Sequence, residues 1–306
     1  MSRFLKSTLI FLFFGLCACT ALALLQIEHW FLQLFCHFLF QYTWLFGLLG
    51  ISFLIFKQKV FGILSILFAI ILFSKILPSD PTNNHMAAEN AELSVLSINL
   101  LSSNIDSAKV NQLIIEKDAD ILLLIEYTSF WERSASVTQY PYSIAEVRDD
   151  TFGIALYSKY PFRNEASIDF SNSRFPIASA QIELGDQRLN ILGIHYQNPI
   201  GRRETAAQKI QIQETIADAK TKEKLLVIGD FNLTPYAKDF SRLLREASLT
   251  DTRDGFGIHG SWPAIWTAFR IPIDHALVSK NIKVNVREVG PLVGSDHLPL
   301  YLEIQL

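Results

Sequence analysis

An α+β domain of packed sheets with helices outside, preceded by three membrane-crossing helices, is the architecture this sequence predicts. Three observations lead to it. Residues 1–78 are almost wholly apolar. Beyond them, short apolar runs bounded by turn residues recur, with only a few helical patterns between. In the last quarter, three strings rich in carboxylate, amide and imidazole groups stand at the ends of such runs: Gly229-Asp230-Phe231-Asn232, Ile273-Asp274-His275 and Gly294-Ser295-Asp296-His297.

The apolar part comes first. The hydrophobic fraction of 50% and mean hydropathy of +0.24 over 306 residues average two unlike regions. Phe4–Leu25, Cys36–Phe56 and Val60–Leu77 each approach the roughly 20 residues that cross a hydrocarbon layer. They are separated at Gln26–His29 and Lys57–Lys59. Nothing downstream is large enough to bury three such helices. Arg3 and Lys6 precede the first span, and Lys57 and Lys59 lie between the second and third. Basic residues favour the cytoplasmic side. The expected topology is therefore N-terminus inside a cytoplasmic membrane and everything after Pro78 on its extracytoplasmic side. Lys75 can snorkel from a helix end. Ala21-Leu22-Ala23 also resembles a signal-cleavage site, but the two later spans would still anchor the chain. His37 and Lys75 are nearly the only ionisable groups within the spans, so the region reads as an anchor rather than a transport path. The expected organisation is an anchor at 1–78 (bilayer contact through 4–77), a polar, proline-bounded linker at 79–92, and a domain at 93–306.

Charge and cysteine content limit what that domain does. Five of the 27 basic residues and one of the 30 acidic residues lie in residues 1–78, so the remainder carries an acidic excess of seven. A broad nucleic-acid binder shows the opposite balance. Cys17, Cys19 and Cys36 all fall in the apolar part. The domain therefore has no disulfide, thiol nucleophile or zinc–thiolate site.

Strand character appears at Leu93–Asn99, Ile121–Ile125, Gly153–Tyr157, Ala178–Leu184, Leu189–Ile194, Leu225–Ile228, His275–Val278 and Leu298–Ile304. Helical patterns appear at Lys109–Lys117, Arg203–Lys220 and Ala237–Glu246. The run Ile121–Ile125 implies a strand buried on both faces. Glu126 at its end is costly to bury unless it is paired or bound to a cation. Leu225–Ile228 leads in the same way into Asp230 and Asn232, which share a face if the strand continues. Gly229 between them permits close backbone approach. Asn99 ends the first strand on an amide. His259 reads as a solvent histidine. His275 is expected to face the core or a neighbouring loop. Trp131, Trp262 and Trp266 are core residues or an aromatic wall.

The series Asn99, Glu126, Gly-Asp230-Phe-Asn232, Ile-Asp274-His and Ser-Asp296-His297 resembles the endonuclease/exonuclease/phosphatase superfamily, in a membrane-anchored bacterial form. Gly153–Pro161, Gly193-Ile194-His195 and Ser261-Trp262-Pro263 resemble it as well. The resemblance implies a DNase I-like four-layered sandwich, two packed β-sheets flanked by helices, and hydrolysis of a phosphoester with Mg²⁺ or Mn²⁺. Under it, Glu126, Asn99 and Asp296 would attend the metal. Asp274 would hold His297, Asp230 and Asn232 would orient water and phosphate, and His195 would contact the phosphate or leaving oxygen. Either His297 or Asp230 can be the base; the assignment taken is His297 as base, with Asp230 positioning the water. An oxygen-rich, thiol-free site independently suits a hard cation. The substrate stays open among nucleic acid, phospholipid headgroup and small molecule. A silent binding module on the same fold is the non-enzymatic alternative. No protein partner follows from the sequence.

Overall fold

The computed structural model describes residues 3–77, 93–170 and 175–306; the expected linker at 79–92 lies outside them. The apolar region forms α1 (Arg3–Leu25), a short α2 (Trp30–Gln33), a 3₁₀ turn (Leu34–Phe38), α3 (Leu39–Ile55) and α4 (Lys59–Ile76). Phe4–Leu25, Trp30–Ile55 and Lys59–Ile76 are long and apolar enough to cross a membrane. The second run starts earlier than expected and is broken by the 3₁₀ turn. Phe13 sits at the centre of the bundle, edge-on to Phe46, Phe53 and Phe61. A Cβ added at Gly62 would fall 2.7 Å from the Leu54 side chain, so this glycine lets α3 and α4 approach. Phe11, Phe14, Ile51 and Ile70 point outward. In water such a surface is costly; in lipid it is required.

The rest of the chain alternates strands and helices: β1 (Leu93–Asn99), α5 (Ser107–Lys117), β2 (Ile121–Ile125), α6 (Ser129–Ser134), β3 (Tyr142–Glu146), β4 (Ile154–Ser158), β5 (Phe162–Phe170), β6 (Pro176–Leu184), β7 (Gln187–His195), α7 (Arg202–Ala219), β8 (Leu225–Asp230), α8 (Lys238–Ala247), β9 (Leu249–Asp251), β10 (Asp274–Ser279), β11 (Lys283–Val289) and β12 (Leu300–Gln305). Among the described residues these make two six-stranded sheets, ordered β11-β12-β1-β2-β4-β3 and β5-β6-β7-β8-β10-β9. Each is mixed, with one parallel pair (β1/β2 and β7/β8).

The alternation of strand side chains creates the layers. Leu226 and Ile228 face inward, where they join Val95, Leu123, Ile125 and Ile191 between the sheets. Leu225 and Val227 face outward, against Ile212 and Ile216 of α7 and Phe240 and Leu243 of α8. The first sheet is covered in the same way by Val110 and Leu113 of α5 and by Trp131 of α6. Helices, sheet, sheet, helices is the four-layered sandwich that the sequence predicts. All eight expected strands are interior strands. The four that were not expected, β3, β5, β9 and β11, are the sheet edges. An edge strand has one partner and one less protected flank, so its sequence need not be an apolar run. β3, Tyr142-Ser143-Ile144-Ala145-Glu146, buries none of its residues fully.

His275 follows the expectation of a core histidine. It points out of β10 toward α8, between Phe231 and Phe240, and its Nε2–H is shared by the Leu233 and Pro272 carbonyls at 2.9 and 3.0 Å. Burial, aided by Arg253 and Arg287 against the opposing Asp251, lowers its pKa to about 4. A histidine released on unfolding titrates near 6.5. Between those values the unfolded chain binds the additional proton, so stability falls as pH falls. His275→Gln is expected to flatten the decline of thermal stability between pH 6.5 and 4 by up to one proton's worth, about 1.4 kcal/mol per pH unit. Unfolding of the full chain in detergent across that pH range measures it; an unchanged slope contradicts the assignment.

Candidate active site

The site is built at one end of the second sheet, where three neighbouring strands stop together. His195 ends β7 and lies in register with Asp230, the last residue of β8. Asp230 is in turn paired with Asp274, the first residue of β10. All three share the inward face of their strands with Ile191, Ile228 and Ala276, so the row points toward the first sheet. Gly229 has φ +146°, and a Cβ there would lie 1.9 Å from the Ile194 carbonyl oxygen. Only glycine lets β7 and β8 run this close at the position before Asp230.

The chain turns immediately after Asp230. Asn232 has φ +47°, so the strand does not continue, and its meeting with Asp230 is a product of the turn rather than of strand alternation. The Asn232 N–H donates to Asp230 Oδ1 at 2.8 Å, and its Nδ2 donates to the Tyr196 carbonyl at 2.9 Å and to Asp230 Oδ2 at 3.3 Å. From the first sheet, Asn99 Nδ2 donates to Asp230 Oδ2 at 3.2 Å. This bond links the two sheets through the carboxylate. Glu126, one residue past β2, has φ +60°, which takes its side chain out of the outward alternation of Leu122 and Leu124; the Ser102 N–H donates to its Oε2 at 2.7 Å.

The Gly294–His297 loop closes the group. His297 Nδ1 lies 2.9 Å from Asp274 Oδ2, and its Nε2 lies 3.7 Å from Asp230 Oδ2. Asp296, the neighbouring residue of the loop, lines the same cavity as His297. Its Oδ2 accepts from Trp262 Nε1 at 2.9 Å, while its buried Oδ1 has no protein partner.

The charges balance unevenly. Burial works against an imidazolium at His297, but Asp274 and Asp230 outweigh it and raise its pKa to about 10. Burial and the neighbouring Asp274 push Asp230 up to about 7, although the charge of His297 opposes them. Burial also raises Asp274, yet the His297 charge and the hydrogen bonds from His297 and Ser261 prevail and hold it below the usual carboxylate range. His195 is neutral: burial and the positive His297 lower it to about 4.

Six of the eight expected residues, Glu126, His195, Asp230, Asn232, Asp296 and His297, line one cavity of about 370 Å³. Asn99 and Asp274 stand behind it, bonded to Asp230 and His297. Among the described residues the tightest set of metal-ligand types is Asp230, Asp274 and His297, whose ligand atoms lie within 4.8 Å of one another. That set differs from the expected one. It already contains its own cation, His297, whereas among the described residues neither Glu126 nor Asp296 forms an ion pair, and Asp296 Oδ1 has no hydrogen-bond partner. Trp262 lines the cavity; Trp131 is entirely core. His259 is half-buried with Nε2 on the Phe256 carbonyl, not a solvent histidine, because its loop folds back on itself. Arg202 and Arg203 are exposed at the start of α7, as a solvated helix end would be. Sequence reasoning did not find Phe152, Ile200 or the cavity-lining Leu34, His37 and Phe38. An apolar residue carries no chemical signal in sequence, and Leu34–Phe38 sits within a segment that reads simply as a span.

The profile of the Endonuclease/Exonuclease/phosphatase family matches residues 96–297. The chain belongs to this family. No curated protein matches the sequence. Solved structures with the same fold include TDP2 from Caenorhabditis elegans, with 16% identity, 70% of this chain and 75% of that chain covered and a TM-score of 0.58. Another is the mannosyl-6-phosphatase of Bacteroides thetaiotaomicron, with 17% identity, 70% and 100% coverage and a TM-score of 0.54. An endonuclease/exonuclease/phosphatase from Beutenbergia cavernae shares 14% identity over 70% of this chain and 71% of that one, with a TM-score of 0.55. At such identities the likeness is one of fold.

Within this family fold the Asp274–His297 pair sets the electrostatics of the cavity, which gives a direct test. Asp274→Asn removes the charge that most favours the imidazolium. The pKa of His297 is expected to fall from about 10 toward the ordinary 6.5. Histidine NMR titration of the metal-free full chain in detergent measures this; a value still near 10 would mean that Asp274 does not hold the proton.

Proposed function

We propose that this chain is a membrane-anchored, divalent-metal-dependent phosphoester hydrolase. The observation that carries the reading is a buried Asp274–His297 pair beside a carboxylate, Asp230, whose pKa is raised to about 7, with His297 and Asp230 opening on one cavity. The donor set fits a hard cation. Glu126 and Asp296 bring carboxylate oxygens to the cavity, one of them buried and unpartnered, and Asn99 adjoins through Asp230. Mg²⁺ or Mn²⁺ suits such oxygens. When bound, the cation would offset charge on the phosphoryl oxygens.

The electrostatics favour the second of the two base assignments. His297 is protonated at neutral pH and serves as a fixed positive donor toward a phosphoryl oxygen, oriented by Asp274. Asp230, poised near neutrality, takes the proton from water at Oδ2. Asn232 fixes the Asp230 carboxylate, and neutral His195, 3.5 Å from it, contacts the phosphate or leaving oxygen. The water oxygen forms the new bond to phosphorus and the bond to the ester oxygen breaks. The ester oxygen leaves as an alcohol with a proton from solvent, and Asp230 returns its proton to solvent.

Residues 1–78 act as the anchor and 93–306 as the hydrolytic domain, on the extracytoplasmic side of the cytoplasmic membrane. Charge distribution supports this, and so do the contacts. Gln26, His37 and Gln41 bond Tyr236, Thr234 and Arg270 of the domain. They lie at the end of the spans where Leu77 also emerges. The acidic excess of the domain disfavours a broad nucleic-acid track.

Two outcomes are expected. Hydrolysis of generic phosphodiesters or phosphomonoesters by the full chain requires Mg²⁺ or Mn²⁺ and stops in EDTA; Glu126→Gln and His297→Ala each reduce it by about 10²–10⁴-fold. Undiminished turnover in EDTA would remove the metal from the reading, and an active His297→Ala would remove the site. A reporter fused after Leu77 is expected to be active only outside the cytoplasm; cytoplasmic activity inverts the topology.

A further inference from the structure

The cavity over the polar row has a second, apolar side, and part of that side belongs to the N-terminal helices. Leu34, His37 and Phe38 of the 3₁₀ turn line it together with Phe152, Ile200 and Ile273 of the domain. The turn is fixed against the domain rather than resting near it. Cys36 is buried in the same core as Ile212, Phe231 and Leu233. His37 Nδ1 lies 2.9 Å from Thr234 Oγ1, two residues beyond Asn232. Gln41, in the first turn of α3, donates to the Arg270 carbonyl at 3.1 Å. The loop held there carries Ile265, Trp266 and Phe269, which are 70%, 60% and 58% exposed. Exposed apolar side chains gathered at the end of a membrane span mark an interfacial surface. The polar row thus shares its cavity with an apolar wall, part of which belongs to the N-terminal helices.

We infer that Leu34, His37 and Phe38 complete the substrate pocket and select a phosphoester carried on the hydrocarbon chain of a membrane lipid. The inference rests on the phosphoesterase reading and names its substrate class. The phosphate lies at the Glu126, Asp296 and His297 end, and the chain runs along Leu34, Phe38 and Ile200 toward the bilayer. Burying alkyl surface against such a wall favours the amphiphile over a headgroup of identical reactivity. The acidic excess of the domain argues in the same direction, because a polyanion is bound along a basic track.

The test uses the full chain in detergent micelles with Mn²⁺ and two matched pairs of probes: methyl and dodecyl 4-nitrophenyl phosphate, and methyl and dodecyl phosphate. Within each pair the reacting group is the same and only the chain differs. The dodecyl member is expected to be preferred by about tenfold or more in kcat/KM. Partition of dodecyl esters into micelles affects every variant equally, so the decisive quantity is the change in that ratio. Phe38→Ala and Leu34→Ala should each reduce the ratio about tenfold, chiefly through KM. Phe38→Leu should restore most of it, and Phe31→Ala, outside the cavity, should leave it as in the wild type. Hydrolysis of the esters with a ratio unmoved by the Leu34 and Phe38 variants, or with both members falling together, overturns the lipid inference and leaves the phosphoesterase reading standing. Hydrolysis of none of the four probes overturns the phosphoesterase reading, and the lipid inference with it.

Discussion

His195, Asp230 and Asp274 form one lateral row across β7, β8 and β10, and the rest of the site is arranged around the cost of keeping that row out of water. Two carboxylates side by side in a buried position repel each other and lose hydration, a combination tolerated only with compensating charge and hydrogen bonds. The compensation comes from four separate parts of the chain. His297 supplies the positive charge, Asn99 and Asn232 supply amide donors, and Ser261 Oγ accepts from the Asp274 N–H at 3.3 Å and so fixes the carboxylate-bearing backbone. Asp230 and Asp274 each rest on several of these contacts at once. The site is therefore rigid because of its electrostatics as much as its packing.

That requirement reaches into the architecture. Asn99 lies on the first sheet and Asp230 on the second, so the bond between them works only if both sheets end at the same level. The inter-sheet core of Val95, Leu123, Ile125 and Ile228 sets the separation, and the pairing of β1 with β2 in parallel register brings Asn99 beside Ile125, next to Glu126. The left-handed residues Glu126 and Asn232 then redirect chemistry-bearing side chains at strand ends. Such conformations cost energy in a non-glycine residue and persist where surrounding bonds over-determine them. Here the Ser102 N–H and the Tyr196 carbonyl provide those bonds.

Where the sequence was legible, a physical reason can be given, and the same holds where it was not. Interior strands are paired on both edges and packed against the core, so they carry apolar residues continuously or in alternation, and each of the eight was readable. The edge strands β3, β5, β9 and β11 lack one partner and were not. Glu126, Asp230 and Asp296 were readable because an acid directly after a buried strand or in a Ser-Asp-His string has few structural uses. The direction of proton transfer was not readable. It depends on how far burial and the Asp274 charge move Asp230 and His297, which are distances rather than residue types. The family resemblance supplied the identities of the site residues but carried nothing about residues 34–38, which lie outside the matched 96–297.

Those five residues explain why the N-terminal helices and the domain are better understood as one structure. A flexible tether would leave the domain free to rotate, and no residue of the tether would need to be buried against it. Instead Cys36 is buried among side chains of α7 and α8, and Tyr236 of the domain is buried among helices of the N-terminal bundle. The exchange of one side chain in each direction, together with the His37–Thr234 contact, fixes the 3₁₀ turn relative to Asp230 through only a few residues of backbone. Within the 3₁₀ turn at Leu34–Phe38, Cys36 is buried in the domain core while Leu34, His37 and Phe38 border the cavity. The irregular turn in the second apolar run is the element that joins the helix bundle to the acidic cavity.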